Sequence, residues 1–257
     1  MKIKAVFFDI DGTLVSLNSH RMLESTHRAL AKLREKNIKI FISSGRHRSI
    51  MNNLEGEIFD GYITVNGSLC YYQDEIVHKC PIPESDIRNW VEFLKTHNTQ
   101  CFAVTEASLF LNQSSKSVQN FFKLLDFESP EVREFADIAH NPIYQIIGLI
   151  EQGEDSEAKA VLPNCSFNRW HHSFVDIINK KSDKSKGIKA IIDILGISAQ
   201  ECVAFGDGGN DLEMLKFVGM GIAMGNSESD VIKAADYVTD TADNDGIWNA
   251  LVKLNII

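Results

Sequence analysis

The chain opens on a short unbroken apolar run, Ala5 to Phe8. A run that short, without polar alternation, is the pattern of a strand buried on both faces. Thr26, Ala29, Leu30 and Leu33 then fall at i, i+3, i+4 and i+7, the stripe of an amphipathic helix. IKIFI (38–42) reads as a second strand, SSGR interrupts it, and a helix is expected to begin near Arg46. YITV (62–65) reads as a third strand ending at Asn66-Gly67. Strand and helix alternating at this spacing predict a parallel sheet with right-handed crossovers.

The rhythm breaks at Pro81-Ile82-Pro83. A helix is expected at about 84–97, a hairpin in FAVTEASLFLN, a second helix near 115–126, and strands in YQIIGLI (144–150) and FNRWHHSFVDII. Helices beside hairpin strands describe an α+β module. From Lys184 the first rhythm returns: Ile188, Ile191, Ile192 and Leu195 make a helical stripe, and CVAFG (202–206) and GIAM (221–224) read as strands. The expected fold class is therefore α/β. A Rossmann-like parallel-sheet core domain, residues 1–82 and 182–257, is interrupted by an inserted α+β domain, residues 83–181.

Composition narrows the function. The 257 residues are 44% hydrophobic, enough for a proper core, and the net charge of −9 argues against a nucleic-acid partner. No apolar run reaches the ~18–20 residues that span a bilayer. The first residues lack the pattern of a signal peptide, so no membrane partner and a cytoplasmic location are expected. Cys70, Cys80, Cys101, Cys165 and Cys202 are odd in number and form no C-x-x-C pair. That fits reduced thiols rather than a disulfide framework or a zinc site.

Three of the apolar strands end in polar clusters: DIDGT after the first, SSGR after the second and GDGGND after the one at 202–206. Ligands of open parallel sheets bind beyond the carboxyl ends of the strands, so the clusters should converge on one crevice. Asp9, Asp11, Asp207 and Asp211 would meet there, with Ser43 or Ser44 and backbone amides around Gly12 and Gly45. Carboxylates this close repel one another, and an oxygen-rich set suits a hard cation such as Mg2+. Hydroxyls, glycine amides and a helix N-terminus cradle phosphate. Asp9 could attack phosphorus, Asp11 could move the protons, and Lys184 or Lys186 could balance the charge.

These residues carry a resemblance. D-x-D-G-T at 9–13, S-G-R at 44–46, K-x-x-G at 184–187 and G-D-G-G-N-D at 206–211 are similar, in order, to the four motifs of the haloacid dehalogenase superfamily. The insert resembles the cap of its Cof-type phosphatases. The resemblance implies that Asp9 is the nucleophile and Asp11 the general acid/base. It implies that Ser44 binds a phosphoryl oxygen and that Lys184 is the third-motif lysine. Mg2+ would be held by Asp207, the Asp9 carboxylate and the Asp11 backbone carbonyl. Ile10, Ser44, Gly45, Arg46, Lys184, Asn210 and Asp211 would contact phosphate or substrate, with Arg169 reaching in from the insert. Many relatives have T-G-R where this chain has Ser44, which leaves open whether Ser43 or Ser44 supplies the hydroxyl.

The same residues argue against several rival readings. A calcium loop counted from Asp9 needs Gly and Glu where Leu14 and His20 stand. GMGIAMG (219–225) lacks the spacing of a dinucleotide fingerprint. Asp240, Asp243 and Asp245 suit a solvated loop and a helix cap. Strand alternation would put Arg169 and His171 on one face and Trp170 and His172 on the other, serving either the surface and core or the substrate. The expected activity is Mg2+-dependent hydrolysis of small phosphate esters, sugar phosphates or similar metabolites, through an aspartyl-phosphate intermediate. A phosphomutase of the same superfamily and a non-catalytic phospholigand sensor are the alternatives. The acidic fourth motif argues against a dehalogenase, and the length and insert argue against a receiver-like signalling module.

Overall fold

The computed structural model describes residues 2–116, 118, 119 and 130–257. Along the first stretch the chain forms β1 (Ala5–Phe8), α1 (Glu24–Glu35), β2 (Lys39–Ser43), β3 (Gly61–Thr64), β4 (Leu69–Tyr72) and β5 (Glu75–Lys79). The middle stretch forms α2 (Glu84–Thr96), β6 (Cys101–Val104), β7 (Leu109–Leu111), β8 (Glu131–Val132), α3 (Phe135–Ile138), β9 (Gln145–Gly148), α4 (Ser156–Val161), β10 (Cys165–His171) and β11 (Phe174–Asn179). The last stretch forms α5 (Lys184–Leu195), β12 (Cys202–Gly206), α6 (Leu212–Phe217), β13 (Met220–Ala223), α7 (Ser229–Ala234), β14 (Tyr237–Val238) and α8 (Gly246–Lys253). Two compact units result: Met1–Lys79 with Ser182–Ile257, and Cys80–Lys181. Among the described residues no helix is long and apolar enough to cross a membrane.

The first unit is built on a sheet of order β14-β13-β12-β1-β2-β3-β4-β5. The strands from β14 to β3 pair in parallel, and β1 lies centrally between β12 and β2. Alternation along β1 and β2 feeds two cores. Phe8, Ile40 and Ile42 pack on one face with Leu30 and Leu33 of α1, and Phe7 and Phe41 pack on the other with Ile188 and Ile191 of α5. Phe7 and Phe41 stack with ring centroids 4.9 Å apart. Both faces are covered, which is why these strands read as unbroken apolar runs.

Two features of this unit depart from the pattern. The edge strands β4 and β5 are antiparallel, joined through Gln73 and Asp74, both at positive φ (50° and 67°). Two-residue hairpins favour Asn-Gly at such positions, so Gln-Asp gave no sequence signal. The helix expected near Arg46 is only a 3-10 turn, Arg48–Ile50, capped by the His47 ring accepting from the Ser49 backbone N–H. Asn52, Asn53 and Gly56 follow, residues that disfavour helix continuation.

Among the described residues, the second unit carries a sheet of order β10-β11-β9-β6-β7-β8. Its helices α2, α3 and α4 bury Trp90, Phe135 and Ala158 against Cys101, Ile146 and Ile177 of the sheet. The β6–β7 hairpin falls within FAVTEASLFLN, as the pattern predicts. The helix expected at 115–126 falls mostly outside the described residues. A register shift interrupts the β10–β11 pairing between Asn168 and His171.

Candidate active site

β1 delivers Asp9 to the carboxyl end of the sheet, and Asp9 continues the ladder by donating its N–H to the Phe205 carbonyl at 3.0 Å. The chain then turns sharply through Ile10–Gly12. Gly12 has φ of +82°, and a Cβ there would lie 2.2 Å from Asp207 Oδ2, so only glycine lets the two loops approach this closely. Thr13 Oγ1 donates to Asp207 Oδ1 at 2.8 Å, and Asn226 Nδ2 donates both to Asp207 Oδ2 and to the Gly12 carbonyl at 3.0 Å. The first and fourth motifs are thus locked together through the Asp207 carboxylate.

The loop after β3 joins the second motif to the others. Val65, Asn66 and Gly67 all have positive φ (53°, 52° and 88°). Such a conformation is costly for a β-branched residue, on the order of 1–3 kcal/mol, and must be held by its surroundings. It is held: Val65 N–H donates to the Arg46 carbonyl and Asn66 N–H to the Ser44 carbonyl. Asn66 Oδ1 accepts from Asn210 Nδ2 at 2.9 Å. A Cβ on Gly67 would lie 2.0 Å from the Asp183 carbonyl, so this glycine admits the N-terminus of α5. Asp183 caps that helix by accepting from the Lys186 N–H.

Lys184, the first residue of α5, is wholly buried, and its Nζ donates at 2.6 Å to Asp9 Oδ1 and at 2.6 Å to Asp211 Oδ1. Asp211 Oδ2 accepts from the Asp207 and Gly208 N–H groups, both at 2.9 Å. With every oxygen of Asp211 engaged, this residue braces the 206–211 loop and seats the lysine. Of the two candidate lysines, Lys184 is the one in contact with Asp9.

The electrostatics follow from burial. Three carboxylates, Asp9, Asp207 and Asp211, offer oxygens within 4.8 Å of one another and face a single ammonium. Burial works against the Lys184 charge, but Asp211 and Asp9 outweigh it and hold the ammonium above its ordinary range. Burial pushes the Asp9 carboxyl well above its usual value, against the pull of Lys184. Burial also raises Asp207 to about 6, although the Thr13 hydroxyl favours its charged form. The cluster is short of positive charge, and its all-oxygen donor set fits a hard divalent cation.

The remaining candidates separate clearly. Asp11 is gripped by Arg46, whose Nε and Nη2 donate to its two oxygens at 2.7 and 2.8 Å. Ser44 Oγ accepts from the Arg46 N–H at 3.2 Å. Ser43 is fully buried, and among the described residues its hydroxyl has no hydrogen-bond partner. Ile10 follows Asp9, its carbonyl accepting from the Thr13 and Val15 N–H groups, and Gly45 follows Ser44 and lies against the Asn66 side chain. Arg169, expected to contact substrate, is seen here with backbone partners. Its Nη1 donates to the carbonyls of Ile150, His172 and Phe174 at 2.8–3.0 Å, within the second unit. Sequence reasoning missed Thr13 as a partner of Asp207 and missed Asn226 altogether. Asn226 follows the GMGIAMG stretch, whose role is to end β13 and turn back to Gly12.

A family profile described as haloacid dehalogenase-like hydrolase matches residues 6–251. The chain is 30% identical to YkrA of Bacillus subtilis, provisionally named a phosphatase, over the full length of both. Its fold is similar to that of a solved HAD subclass IIB sugar phosphatase, BT4131. The TM-score is 0.91 at 38% identity, over 99% of this chain and 100% of that one. It is also similar to the phosphatase BT1666 from Bacteroides thetaiotaomicron, with a TM-score of 0.90 at 31% identity over 100% and 96%. The chain belongs to the haloacid dehalogenase-like hydrolases. It is an enzyme, and its relatives place it among the phosphatases of that family.

Proposed function

We propose that this hydrolase is a Mg2+-dependent phosphatase of small phosphate esters, sugar phosphates or similar metabolites, working through a phosphorylated Asp9. The observation that carries the reading is the Asp9–Lys184–Asp211 arrangement: a buried carboxylate at a strand tip, held by an ammonium that the 206–211 loop fixes in place. The solved sugar phosphatase with which the chain shares 38% of its residues supports the substrate class.

In this reading an Asp9 carboxylate oxygen attacks phosphorus as the bond to the leaving alcohol breaks, and the Asp11 carboxyl gives that alcohol its proton. Asp11 then takes a proton from water, whose oxygen attacks phosphorus, releasing inorganic phosphate and restoring Asp9. Lys184, the Ser44 hydroxyl and the Ile10 and Gly45 N–H groups face the phosphoryl oxygens, with Asn210 and Asp211 fixing the loop beside them. Asp9, Asp207 and the Asp11 carbonyl would hold Mg2+, which supplies positive charge against those oxygens. Arg46, which grips the Asp11 carboxylate through its fork, orients Asp11 for proton transfer. Selectivity is assigned to the inserted unit, which contains none of the acidic cluster.

The test is phosphate release from a panel of metabolite phosphates, with Mg2+ and with EDTA. Release in Mg2+ that EDTA abolishes supports the reading. Full turnover in EDTA, or no release from any phosphate ester, contradicts it. Turnover that demands a bisphosphate and releases little phosphate would indicate a phosphomutase.

A further inference from the structure

Ser43 is an anomaly that the reaction above does not use. It is 0% exposed, and among the described residues its hydroxyl has no hydrogen-bond partner. Burying a hydroxyl without a partner costs about 1–3 kcal/mol, so a fold keeps one only where something offsets the loss. Replacement by alanine would remove that cost with almost no change in shape. The hydroxyl therefore calls for a use.

Its position in the sheet indicates the use. β1 and β2 pair in parallel with Phe7 beside Phe41 and Phe8 beside Ile42, so the next rung sets Asp9 beside Ser43. Side chains alternate between faces along a strand, which puts Ser43 on the face of Phe41 and Asp9 on the face of Phe7. Those two rings stack on the face packed against α5, the helix that begins at Lys184. On the other side Ser43 is paired with Ile63 of β3, an apolar neighbour. On that face the neighbouring strands therefore flank Ser43 with Asp9 on one side and Ile63 on the other. In the free enzyme Asp9 Oδ1 is occupied by Lys184.

We propose that Ser43 is a positioning residue for Asp9, whose hydroxyl donates to the Asp9 carboxylate when Lys184 turns to the phosphoryl oxygens of the substrate. This rests on the reading of Asp9 as the nucleophile. Lys184 has three N–H donors, two of them on Asp9 and Asp211, and drawing the ammonium toward the transferring group weakens its hold on Asp9. A second donor on the same face keeps the attacking carboxylate from rotating during transfer. Its orphan state in the free enzyme is then the stability given up for a function exercised only during turnover.

The experiment compares Ser43→Ala, Ser43→Thr and Asp9→Asn in melting temperature and in steady-state turnover of one phosphate ester with Mg2+. Ser43→Ala is expected to melt higher than wild type, because the unpaired hydroxyl is gone. Its kcat is expected to fall about tenfold with KM unchanged, since the substrate contacts remain. Ser43→Thr keeps a hydroxyl and should recover most of kcat. A Ser43→Ala enzyme with wild-type kcat overturns the proposal, as does a kcat loss that tracks a lowered melting temperature. The two levels fail separately. Turnover retained by Asp9→Asn removes the nucleophile reading, whereas an inactive Asp9→Asn beside a fully active Ser43→Ala removes only the role of Ser43.

Discussion

The Arg46 guanidinium grips the Asp11 carboxylate through two parallel hydrogen bonds, Nε to Oδ2 at 2.7 Å and Nη2 to Oδ1 at 2.8 Å. A fork of this kind fixes both the position and the plane of a carboxylate, which a single point charge cannot do. Arg46→Ala should therefore lower kcat about tenfold by leaving Asp11 loosely placed, and Arg46→Lys should recover only part of it. Steady-state kinetics on one phosphate ester check this. Full activity in Arg46→Lys would show that charge alone is needed.

Metal dependence has a stability signature apart from activity. Mg2+ binds the folded acidic cluster and should raise the melting temperature of the wild type, by an amount that grows with its concentration. Asp207→Ala should lose that response. The substitution relieves repulsion between carboxylates but also takes the acceptor from Thr13 and Asn226, so the readout is the shift with Mg2+ in each protein and not the metal-free melting temperature. Thermal melts over a Mg2+ series with each protein decide the point.

Arg169 carries a stability prediction. Its guanidinium ties residues 150, 172 and 174 together through backbone carbonyls. Arg169→Ala leaves those acceptors without their charged donor and should destabilise the protein by about 2 kcal/mol. KM for a small activated ester should not change. Denaturant unfolding and kinetics on the same preparation test both halves.

A pH effect is expected at the surface of α1. His27 lies between Glu57 (Nδ1 to Oε1, 2.7 Å) and Glu55 (Nε2 to Oε2, 3.1 Å), with Arg34 and Arg21 on the outer oxygens. The hydrogen bond to Glu57 raises the His27 pKa above its ordinary value. Its contribution is thus complete below about pH 6.5, the unfolded value, and fades as pH rises through the higher folded value. Glu55, held down first by Arg21, and Glu57, where His27 and Arg34 outweigh burial, behave oppositely. Their share is present above their unfolded values and is lost as pH falls through the lowered ones. The group is partly exposed, so solvent screens it to about 0.5 kcal/mol. The stability difference between wild type and His27→Gln should be largest in mildly acidic buffer and vanish in alkaline buffer. A difference that is constant across that range would exclude the mechanism.

Much of this was legible in the sequence because the information was local. The strand tips at Asp9 and Gly206 are read from apolar runs ending in polar clusters, and the α5 stripe from Ile188, Ile191 and Ile192. The hairpin through Gln73-Asp74 was not legible, because its turn conformation belongs to residues that seldom adopt it. The short turn at 48–50 depends on a side-chain cap from His47. Asn226 was invisible for another reason: its partners, Gly12 and Asp207, lie 214 and 19 residues away, and nothing in its local pattern points to either. The backbone partners of Arg169 Nη1 were likewise not legible, because they are set by how residues 150, 172 and 174 come together.

The central claim is that Asp9 carries the phosphoryl group, and chemical trapping tests it most directly. The Asp11→Asn enzyme, slowed in breaking down the intermediate, is mixed with a phosphate ester and Mg2+, quenched, and treated with borohydride, which reduces an acyl phosphate to the alcohol. The tryptic peptide Ala5–Arg21 is then sequenced by mass spectrometry. The account predicts homoserine at position 9 and unmodified residues elsewhere, with no trapping in Asp9→Asn. Turnover in Asp9→Asn, or reduction at any other carboxylate, would contradict it.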